Sequence, residues 1–466
     1  MKKDRYPNIG KREDEVISRY ENSVRGGTPG YFEVDEMETI INHYMDDEMP
    51  GKAMDAIQYG RKLHPNSTSL IVKQARLYAD TGQPQEALSI IKYIETIDSG
   101  DEDAVLLKGE ILLRTGQKDE AMKTFKSLED GAEYDYGICL NIAYALNDNR
   151  MFDDAIRYLL KAEKNDPNNT DILFELAYSL EQKEELSLAI DTYNRILDLT
   201  PYSNEAWFSI GQLHLKLEHY AEASEAFDYA YTIKPSDYQS LFQKADALLC
   251  CEQYQESVEA LEEYADLTGE SANTNILLGE CYGKTYDFNT AKKYYRKAVD
   301  LDKNCAAGWE GLCICCLELE DEEGALRYVE KLFKLKGATS DFWRYRADAY
   351  TIGQKFKMAI YCYQKSLALD EDQPNVILRI GNLYAEQQKY DIALHYYQKV
   401  QMMQADIEGL PLVLAISFYK TEDYPMCVKN LNKAIEADAM NYMTFINYCP
   451  EAENDPKLKG INKTES

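Results

Sequence analysis

The sequence predicts an all-α protein, built as an α-solenoid of stacked antiparallel helix hairpins. Three observations lead to this prediction. A pattern of two amphipathic helices joined by a short polar turn returns every 34 residues. Small residues recur at two fixed positions of each period, and large apolar residues recur at a third. One such hairpin cannot bury both of its apolar faces, so neighbouring periods must cover one another.

The pattern is clearest in residues Asn204–Asp237. Its apolar residues recur at helical spacing in both halves: Trp207, Ile210, Leu213 and Leu217, then Ala223, Phe227, Ala230 and Ile233. Pro235 ends the second predicted helix, because proline has no N–H to donate and its ring disfavours a helix interior.

Steps of 34 residues give twelve consecutive periods over residues 34–441, without insertion or deletion. They begin at Val34, Thr68, Glu102, Tyr136, Thr170, Asn204, Tyr238, Ala272, Ala306, Ser340, Pro374 and Glu408. The twentieth position of each period is small throughout, and ten of the twelve residues there are alanine. The eighth position is also small, except for Ile41 in the first period. This regularity predicts one kind of hairpin repeated along the chain.

These columns resemble the tetratricopeptide repeat (TPR) family, whose pattern is W-x2-L-G-x2-Y, followed by A-x3-F, A and P. The matching residues in one period are Trp207, Ile210, Gly211, His214 in the tyrosine place, Ala223, Phe227, Ala230 and Pro235. The resemblance implies hairpins stacked into a right-handed superhelix. It also implies that the first helix of each hairpin faces a concave channel.

The two ends of the chain depart from the repeat. Residues 1–33 are polar, which predicts a mostly disordered arm with one short helix around Val16–Tyr20. Tyr31 and Phe32 are expected to cover the open apolar face of the first hairpin. Residues 442–449 predict a truncated capping helix, and residues 450–466 predict a polar tail.

The formal net charge is −30 at pH 7, and nearly all of the excess lies in the repeats. Such a surface repels phosphate backbones and acidic bilayers, so neither nucleic acid nor a membrane is an expected partner. It favours a protein or peptide partner with a basic segment. The alternative interpretation is that the acidity only keeps a long chain from aggregating. The oligomeric state remains open.

No stretch of the sequence is apolar over the roughly 18 residues that a transmembrane helix needs. No apolar segment follows Lys2 and Lys3, so no signal peptide is predicted, and the expected location is cytoplasmic. Eleven cysteines are interpreted mainly as small buried residues. The alternative is a metal or redox cluster, whose members would be Cys305, Cys313, Cys315 and Cys316.

Residues that could carry catalysis do not form a recognisable pattern. The five histidines are scattered, no Ser–His–Asp grouping can be assembled, and neither phosphate-binding glycine motif is present. The sequence therefore predicts a protein that is not an enzyme and holds no cofactor and no metal.

The family resemblance implies that positions 2, 5, 6, 9, 12 and 13 of each period face the channel. The fifth position is apolar from Val72 to Ile276 and then changes to Glu310 and Arg344. These residues either pack between helices or form an apolar groove for a peptide, with acidic residues that attract a basic segment. The candidate binding residues are Leu140, Tyr144, Asp171, Phe174, Glu175, Tyr178, Glu181, Glu205, Phe208 and Phe242.

The leading functional hypothesis is a non-catalytic scaffold or adaptor that binds a peptide or protein in its channel. One alternative is a regulatory or sensory module that responds to a small ligand or peptide. Another is a structural protein that associates with itself.

Overall fold

The computed structural model describes residues 7–26, 30–129, 136–403, 407–453 and 455–458. These residues form α-helices, one short 3-10 helix and the turns between them, with no strand among them. The helices pack in consecutive antiparallel pairs, which confirms the predicted all-α solenoid. The chain divides into two compact units, Met1–Lys234 and Pro235–Ser466.

The first unit contains one helix followed by six hairpins among its described residues. The helices are α1 (Pro7–Gly26), α2 (Val34–Asp46), α3 (Pro50–Leu63), α4 (Thr68–Asp80), α5 (Pro84–Ile97), α6 (Glu102–Arg114), α7 (Lys118–Glu129), α8 (Tyr136–Asp148), α9 (Phe152–Asn165), α10 (Thr170–Gln182), α11 (Leu186–Leu199), α12 (Asn204–Lys216) and α13 (Tyr220–Ile233).

The second unit contains six hairpins and a final helix in the part that the structure describes. The helices are α14 (Tyr238–Cys250), α15 (Tyr254–Thr268), α16 (Ala272–Lys284), α17 (Phe288–Leu301), α18 (Ala306–Glu318), α19 (Glu322–Lys336), α20 (Ser340–Ile352), α21 (Phe356–Leu369), α22 (Pro374–Glu386), α23 (Tyr390–Met402), α24 (Leu410–Lys420), α25 (Tyr424–Ala437) and α26 (Met440–Tyr448), before the 3-10 turn Pro450–Ala452.

The helix starts follow the 34-residue period. Eleven of the twelve first helices begin at the first residue of a period, and every second helix begins at the seventeenth. The exception is α24, which begins at Leu410 instead of Glu408. Gly409 precedes it in the left-handed conformation, and Pro411 lies in its first turn, where the missing N–H costs no helical hydrogen bond.

The turn within each hairpin has the same backbone geometry in all twelve periods. The fifteenth residue has a positive φ, between 55° and 65° where it is not glycine and 76° and 80° at Gly82 and Gly116. The next residue donates its N–H to the carbonyl of the eleventh residue, over 2.7–3.0 Å. This bond satisfies a carbonyl at the end of the first helix and fixes where the second helix begins.

The core of each hairpin pairs small residues with large ones. All twelve residues at the twentieth position are fully buried, as the alanine column predicts. The eighth position faces the large residue at position 24. Where the eighth residue is glycine, a Cβ there would lie only 2.1–2.8 Å from an aromatic ring: Phe125 for Gly109, Phe227 for Gly211, Tyr295 for Gly279 and Tyr397 for Gly381.

The N-terminal end differs from the sequence prediction. Helix α1 extends over Pro7–Gly26, so the expectation of a mostly disordered arm with a short helix around Val16–Tyr20 is corrected for these residues. The reason is the burial of Tyr20, whose ring contacts those of Phe32, Tyr44 and Tyr59 at centroid distances of 5.6–6.3 Å. Phe32 is fully buried, whereas Tyr31 is 62% exposed.

The C-terminal end carries a short helix and a compact turn. Phe445 of α26 is fully buried, and its ring lies 5.8 Å from that of Tyr419. Beyond the helix, Ala452 and Leu458 join the same core, which the prediction of a polar tail from residue 450 did not foresee. Residues 454 and 459–466 of that predicted tail lie outside the described residues.

Candidate functional site

Nine of the ten candidate residues lie on the first helices α8, α10 and α12 of the first unit. We call these nine the α8–α12 face. They are Leu140, Tyr144, Asp171, Phe174, Glu175, Tyr178, Glu181, Glu205 and Phe208. Tyr144 and Tyr178 are 40% and 42% exposed, although tyrosine is a large, mostly apolar residue.

The fifth-position residues of this face are half-buried. The ring of Phe174 packs edge-on against Tyr193 at 6.0 Å, and the ring of Phe208 against Phe227 at 5.5 Å. Leu140 packs against the same core. Packing between helices therefore uses one side of each residue, and the other side remains accessible.

Two of the carboxylates lie close together beside Tyr144. Burial raises the pKa of Glu175, the nearby Asp148 and Asp171 raise it further, and a hydrogen bond from Asn147 Nδ2 at 2.9 Å opposes them. Burial also raises the pKa of Tyr144, with Glu175 and Asp171 adding to the effect. The electrostatics of this part of the face therefore favour a cation over another anion.

The other carboxylates differ in whether they already have a cation. Glu181 forms an ion pair with Lys216 over 2.6 Å. Asp171 and Glu205 are exposed, and neither forms an ion pair with the side chains that the structure describes. Together with Phe174 they line an open cavity of about 550 Å³. Lys234 lines the same cavity but forms no described ion pair with either carboxylate, so two carboxylates and one cation border the cavity.

Phe242, the tenth candidate, belongs to the second unit. It is half-buried, and its ring lies 5.1 Å from that of Tyr264. It is not counted in the α8–α12 face.

The sequence prediction selected apolar, aromatic and acidic residues of the first helices, and it missed three residues that lie beside this face. Asn147 and Lys216 occupy predicted channel positions, the twelfth and thirteenth, but are neither aromatic nor acidic. Tyr193 belongs to the large-residue column of the second helix. Burial raises the pKa of its hydroxyl, a hydrogen bond with Ser209 opposes this, and the charges of Glu181 and Glu175 of the face raise it further. The presence of a tyrosine in that column was the one sequence signal that could have indicated it.

The other predicted features can be compared with the structure only over its described part. There, no three His, Cys, Asp or Glu side chains are arranged to hold a metal ion. Eight of the eleven cysteines are buried. None of the helices described combines the length and the apolarity that crossing a bilayer requires.

Helix hairpins that repeat every 34 residues and pack on their neighbours define a helical repeat protein. The chain belongs to the tetratricopeptide repeat family. Four models of that family, described as tetratricopeptide repeat or TPR repeat, match residues 45–132, 140–204, 347–388 and the three stretches 205–237, 272–305 and 374–407. Extended repeat surfaces of this family bind other proteins, so the chain is a protein-interaction scaffold in general terms.

Several solved structures are similar in fold. A tetratricopeptide repeat protein from Parabacteroides merdae ATCC 43184 is 13% identical, with a TM-score of 0.40, over 53% of this chain and 98% of that one. YrrB, a TPR protein with an unusual peptide-binding site, is 18% identical, with a TM-score of 0.34, over 38% and 92%. The APC/C hetero-tetramer Cut9–Hcn1 is 13% identical, with a TM-score of 0.40, over 94% and 92%. No curated protein matches the chain.

Proposed function

We propose that the chain is a non-catalytic scaffold whose α8–α12 face binds an apolar segment of a protein partner that also carries basic residues. The observation that supports this proposal best is that exposed carboxylates and an aromatic ring line the same cavity of the first unit. The carboxylates of Asp171 and Glu205 form no ion pair with a described residue there, although Lys234 lines the same cavity. They lie beside the half-buried ring of Phe174.

The aromatic residues would supply most of the binding energy. Exposed tyrosines offer large contact areas with few rotatable bonds, and such residues are frequent among those that dominate interface affinity. Tyr144 and Tyr178 occupy the ninth position of successive repeats, so a bound segment would contact both. The phenylalanines behind them would form the apolar floor.

The carboxylates would contribute mainly selectivity and association rate. A basic residue near Asp171 and Glu205 would gain attraction that is screened by salt, because both carboxylates are exposed. Glu181 would contribute less, since Lys216 already neutralises it. Phosphate-rich partners would be repelled by the chain's net charge of −30.

A cytoplasmic location is part of the same proposal. The eleven cysteines are all free thiols, which fits a reducing compartment. Fractionation of native cells, with the chain found in membrane or secreted fractions, would contradict it.

The experiment begins with capture of partners from native cells by the full-length protein and mapping of the bound segment. Affinity of that segment is then measured for the wild type and for the double variant Tyr144→Ala/Tyr178→Ala. Truncation of a dominant interface residue costs roughly 2 kcal/mol, which is about thirtyfold in affinity, so the double variant should bind at least about a hundredfold more weakly.

The matched control is Tyr93→Ala, which removes a tyrosine that is 55% exposed on the second helix α5. It should change affinity by less than about twofold. A second double variant, Asp171→Asn/Glu205→Gln, should reduce both the affinity and its dependence on salt. If every mapped segment binds the tyrosine double variant as tightly as the wild type, the α8–α12 face is not the binding site.

A further inference from the structure

Two carboxylates and, further along the chain, two arginines occupy predicted channel positions on the first helices of the second unit. Asp246 of α14 and Glu280 of α16 occupy the ninth position of consecutive periods. Arg344 of α20 and Arg379 of α22 occupy the fifth and sixth positions further along the same unit. We call this surface the α14–α22 face. All of these positions belong to the set predicted to line the channel.

The acidic end of the face contains two carboxylates without a cation of their own. Asp246 and Glu280 are half-buried, and no residue that the structure describes donates a hydrogen bond or forms an ion pair with either one. Burial raises the pKa of both, and the charge of Asp246 adds to the effect on Glu280, while the exposed Lys284 opposes it. Leaving such groups unpaired costs stability, and a cationic side chain from a partner would remove that cost.

Apolar side chains lie one helical turn before these carboxylates. Phe242 precedes Asp246 by four residues, and Ile276 precedes Glu280 by four, so each pair shares a face of its helix. Both apolar residues are half-buried. The acidic end therefore offers an apolar surface for the stem of a lysine or arginine beside a charge for its head.

The basic end of the face has two guanidinium groups that share one carboxylate. Asp348 accepts from Arg379 Nη1 at 2.7 Å and lies 3.8 Å from Arg344 Nη1, and the hydroxyl of Tyr363 also donates to it. Arg344 Nη2 reaches the exposed Asp341 at 3.0 Å. Because a guanidinium carries five N–H donors, Arg379, which is 53% exposed, retains donors for another acceptor.

A cavity of about 740 Å³ opens beside these arginines. Asn375 and Asn382 also line it, and their amide groups can donate to a carboxylate. The exposed Asp372 and Glu386 lie on the same cavity. These two carboxylates would repel a run of acidic residues, so the cavity suits a single acidic side chain.

We propose that the α14–α22 face binds an extended peptide segment with opposite charges at its two ends. A lysine or arginine lies at Asp246 and Glu280, and one aspartate or glutamate side chain lies at Arg344 and Arg379. The two ends are three repeats apart. At 8–10 Å between neighbouring helices, this corresponds to roughly 24–30 Å, or about eight or nine extended residues.

This site is separate from the α8–α12 face and selects differently. An entirely basic segment would meet the arginines, and an entirely acidic one would meet Asp246 and Glu280, so both are disfavoured by like-charge contacts. A segment with separated charges satisfies both ends at once, and its charge order fixes the direction in which it lies.

The test uses a displayed library of 12-residue peptides, with amidated C-termini, selected on the full-length protein. All peptides have the same composition, which includes two lysines and one glutamate. In one class the two lysines lie at one end and the glutamate at the other, and in the second class all three are adjacent. We expect peptides with separated charges to be enriched by at least about fivefold. Equal enrichment of the two classes would overturn the proposal.

The selected peptide then serves as the probe in a mutant cycle. Replacing its glutamate by glutamine should weaken binding to the wild type by at least about fivefold, but should change binding to the Arg344→Gln/Arg379→Gln variant by less than about twofold. Replacing the lysines of the peptide by glutamine should likewise weaken binding to the wild type by at least about fivefold. The same replacement should change binding to the Asp246→Asn/Glu280→Gln variant by less than about twofold.

Two controls keep this result interpretable. The peptide substitutions on the wild-type protein test both charge contacts even if an arginine variant folds poorly. The Tyr144→Ala/Tyr178→Ala variant, which alters only the α8–α12 face, should bind the selected peptide like the wild type. Loss of binding in that variant would assign the peptide to the first unit and contradict this proposal, whereas failure of the α8–α12 experiment would leave it intact.

Discussion

Replacing Gly109 by alanine should destabilise the first unit, although alanine is the better helix former. Gly109 lies inside α6, where alanine is favoured over glycine by about 1 kcal/mol. A Cβ at this position, however, would lie 2.1 Å from Cε1 and 2.5 Å from Cζ of Phe125. Carbon atoms pack at roughly 3.5–4 Å, so the ring or the helix must move.

The fully buried ring of Phe125 has little room to move. Overpacking of this kind costs about 1–3 kcal/mol, and the severity of the overlap places Gly109→Ala toward the upper end. After the gain in helix propensity, we expect a net loss of about 1–2 kcal/mol. The chain itself indicates the remedy, because three periods combine alanine at the eighth position with leucine at position 24: Ala143 with Leu159, Ala245 with Leu261 and Ala415 with Leu431.

The double variant Gly109→Ala/Phe125→Leu should therefore be more stable than the sum of the two single changes predicts, by about 1–2 kcal/mol. Thermal unfolding gives the overall effect, and hydrogen exchange of α6 and α7 locates it, since repeat proteins can open locally. Gly283→Ala is the control, because a Cβ there meets no atom within 4 Å, and it should leave stability unchanged or raise it. If Gly109→Ala is as stable as the wild type, the small-to-large packing argument is wrong.

Two further predictions concern the carboxylates. The pKa of Glu280 is raised in the folded chain, so folding favours its protonated form and stability is lost as pH rises through this raised pKa. Glu280→Gln should thus raise the unfolding midpoint at neutral pH by about 1 °C and have no effect in acid, as calorimetry can measure. The pKa of Glu175 is likewise raised. Affinity of the α8–α12 face for a basic peptide should fall as the pH is lowered through this raised pKa, and a Glu175→Gln variant with the same pH dependence would refute this assignment.

The periodicity of the sequence predicted the fold because the hairpin depends on a few local requirements. The twentieth residue must be small where two helices approach closely, and the twenty-fourth must be large enough to fill the space beside it. The register of the twelve periods follows from these requirements alone. The start of α24 was displaced because Pro411 and Gly409 set a different helix beginning, and proline and glycine act locally on the backbone.

The helix α1 could not be predicted in the same way. Its sequence is polar, and its stability rests on Tyr20, which is buried by residues of three separate segments, including Tyr59 of α3. Only the tertiary arrangement supplies those contacts, so local propensity underestimates the helix.

For the candidate binding residues, the sequence predicts which of them share a helix face, but not which of their carboxylates form ion pairs with other repeats. Which residues of a first helix share a face follows from spacing, so Tyr144, Phe174 and Tyr178 could be chosen from the sequence. Whether a carboxylate remains available depends on residues about one repeat away. Glu181 forms an ion pair with Lys216, whereas Glu205 on α12 forms no ion pair with a residue that the structure describes. Charge pairing across repeats cannot be read from one period.

Different positions of the repeat serve packing and surface chemistry, which explains how one fold can carry two surfaces with different side chains. Position 15 holds the turn, and positions 8, 20 and 24 hold the packing, so all four are constrained in every period. The channel positions of the first helix are not needed for either purpose, and their residues can vary from repeat to repeat. In the first unit these positions carry tyrosines and carboxylates, and in the second they carry the carboxylates Asp246 and Glu280 and, further along, Arg344 and Arg379. Stability is therefore maintained by the columns that repeat, while selectivity for partners should reside in the columns that do not.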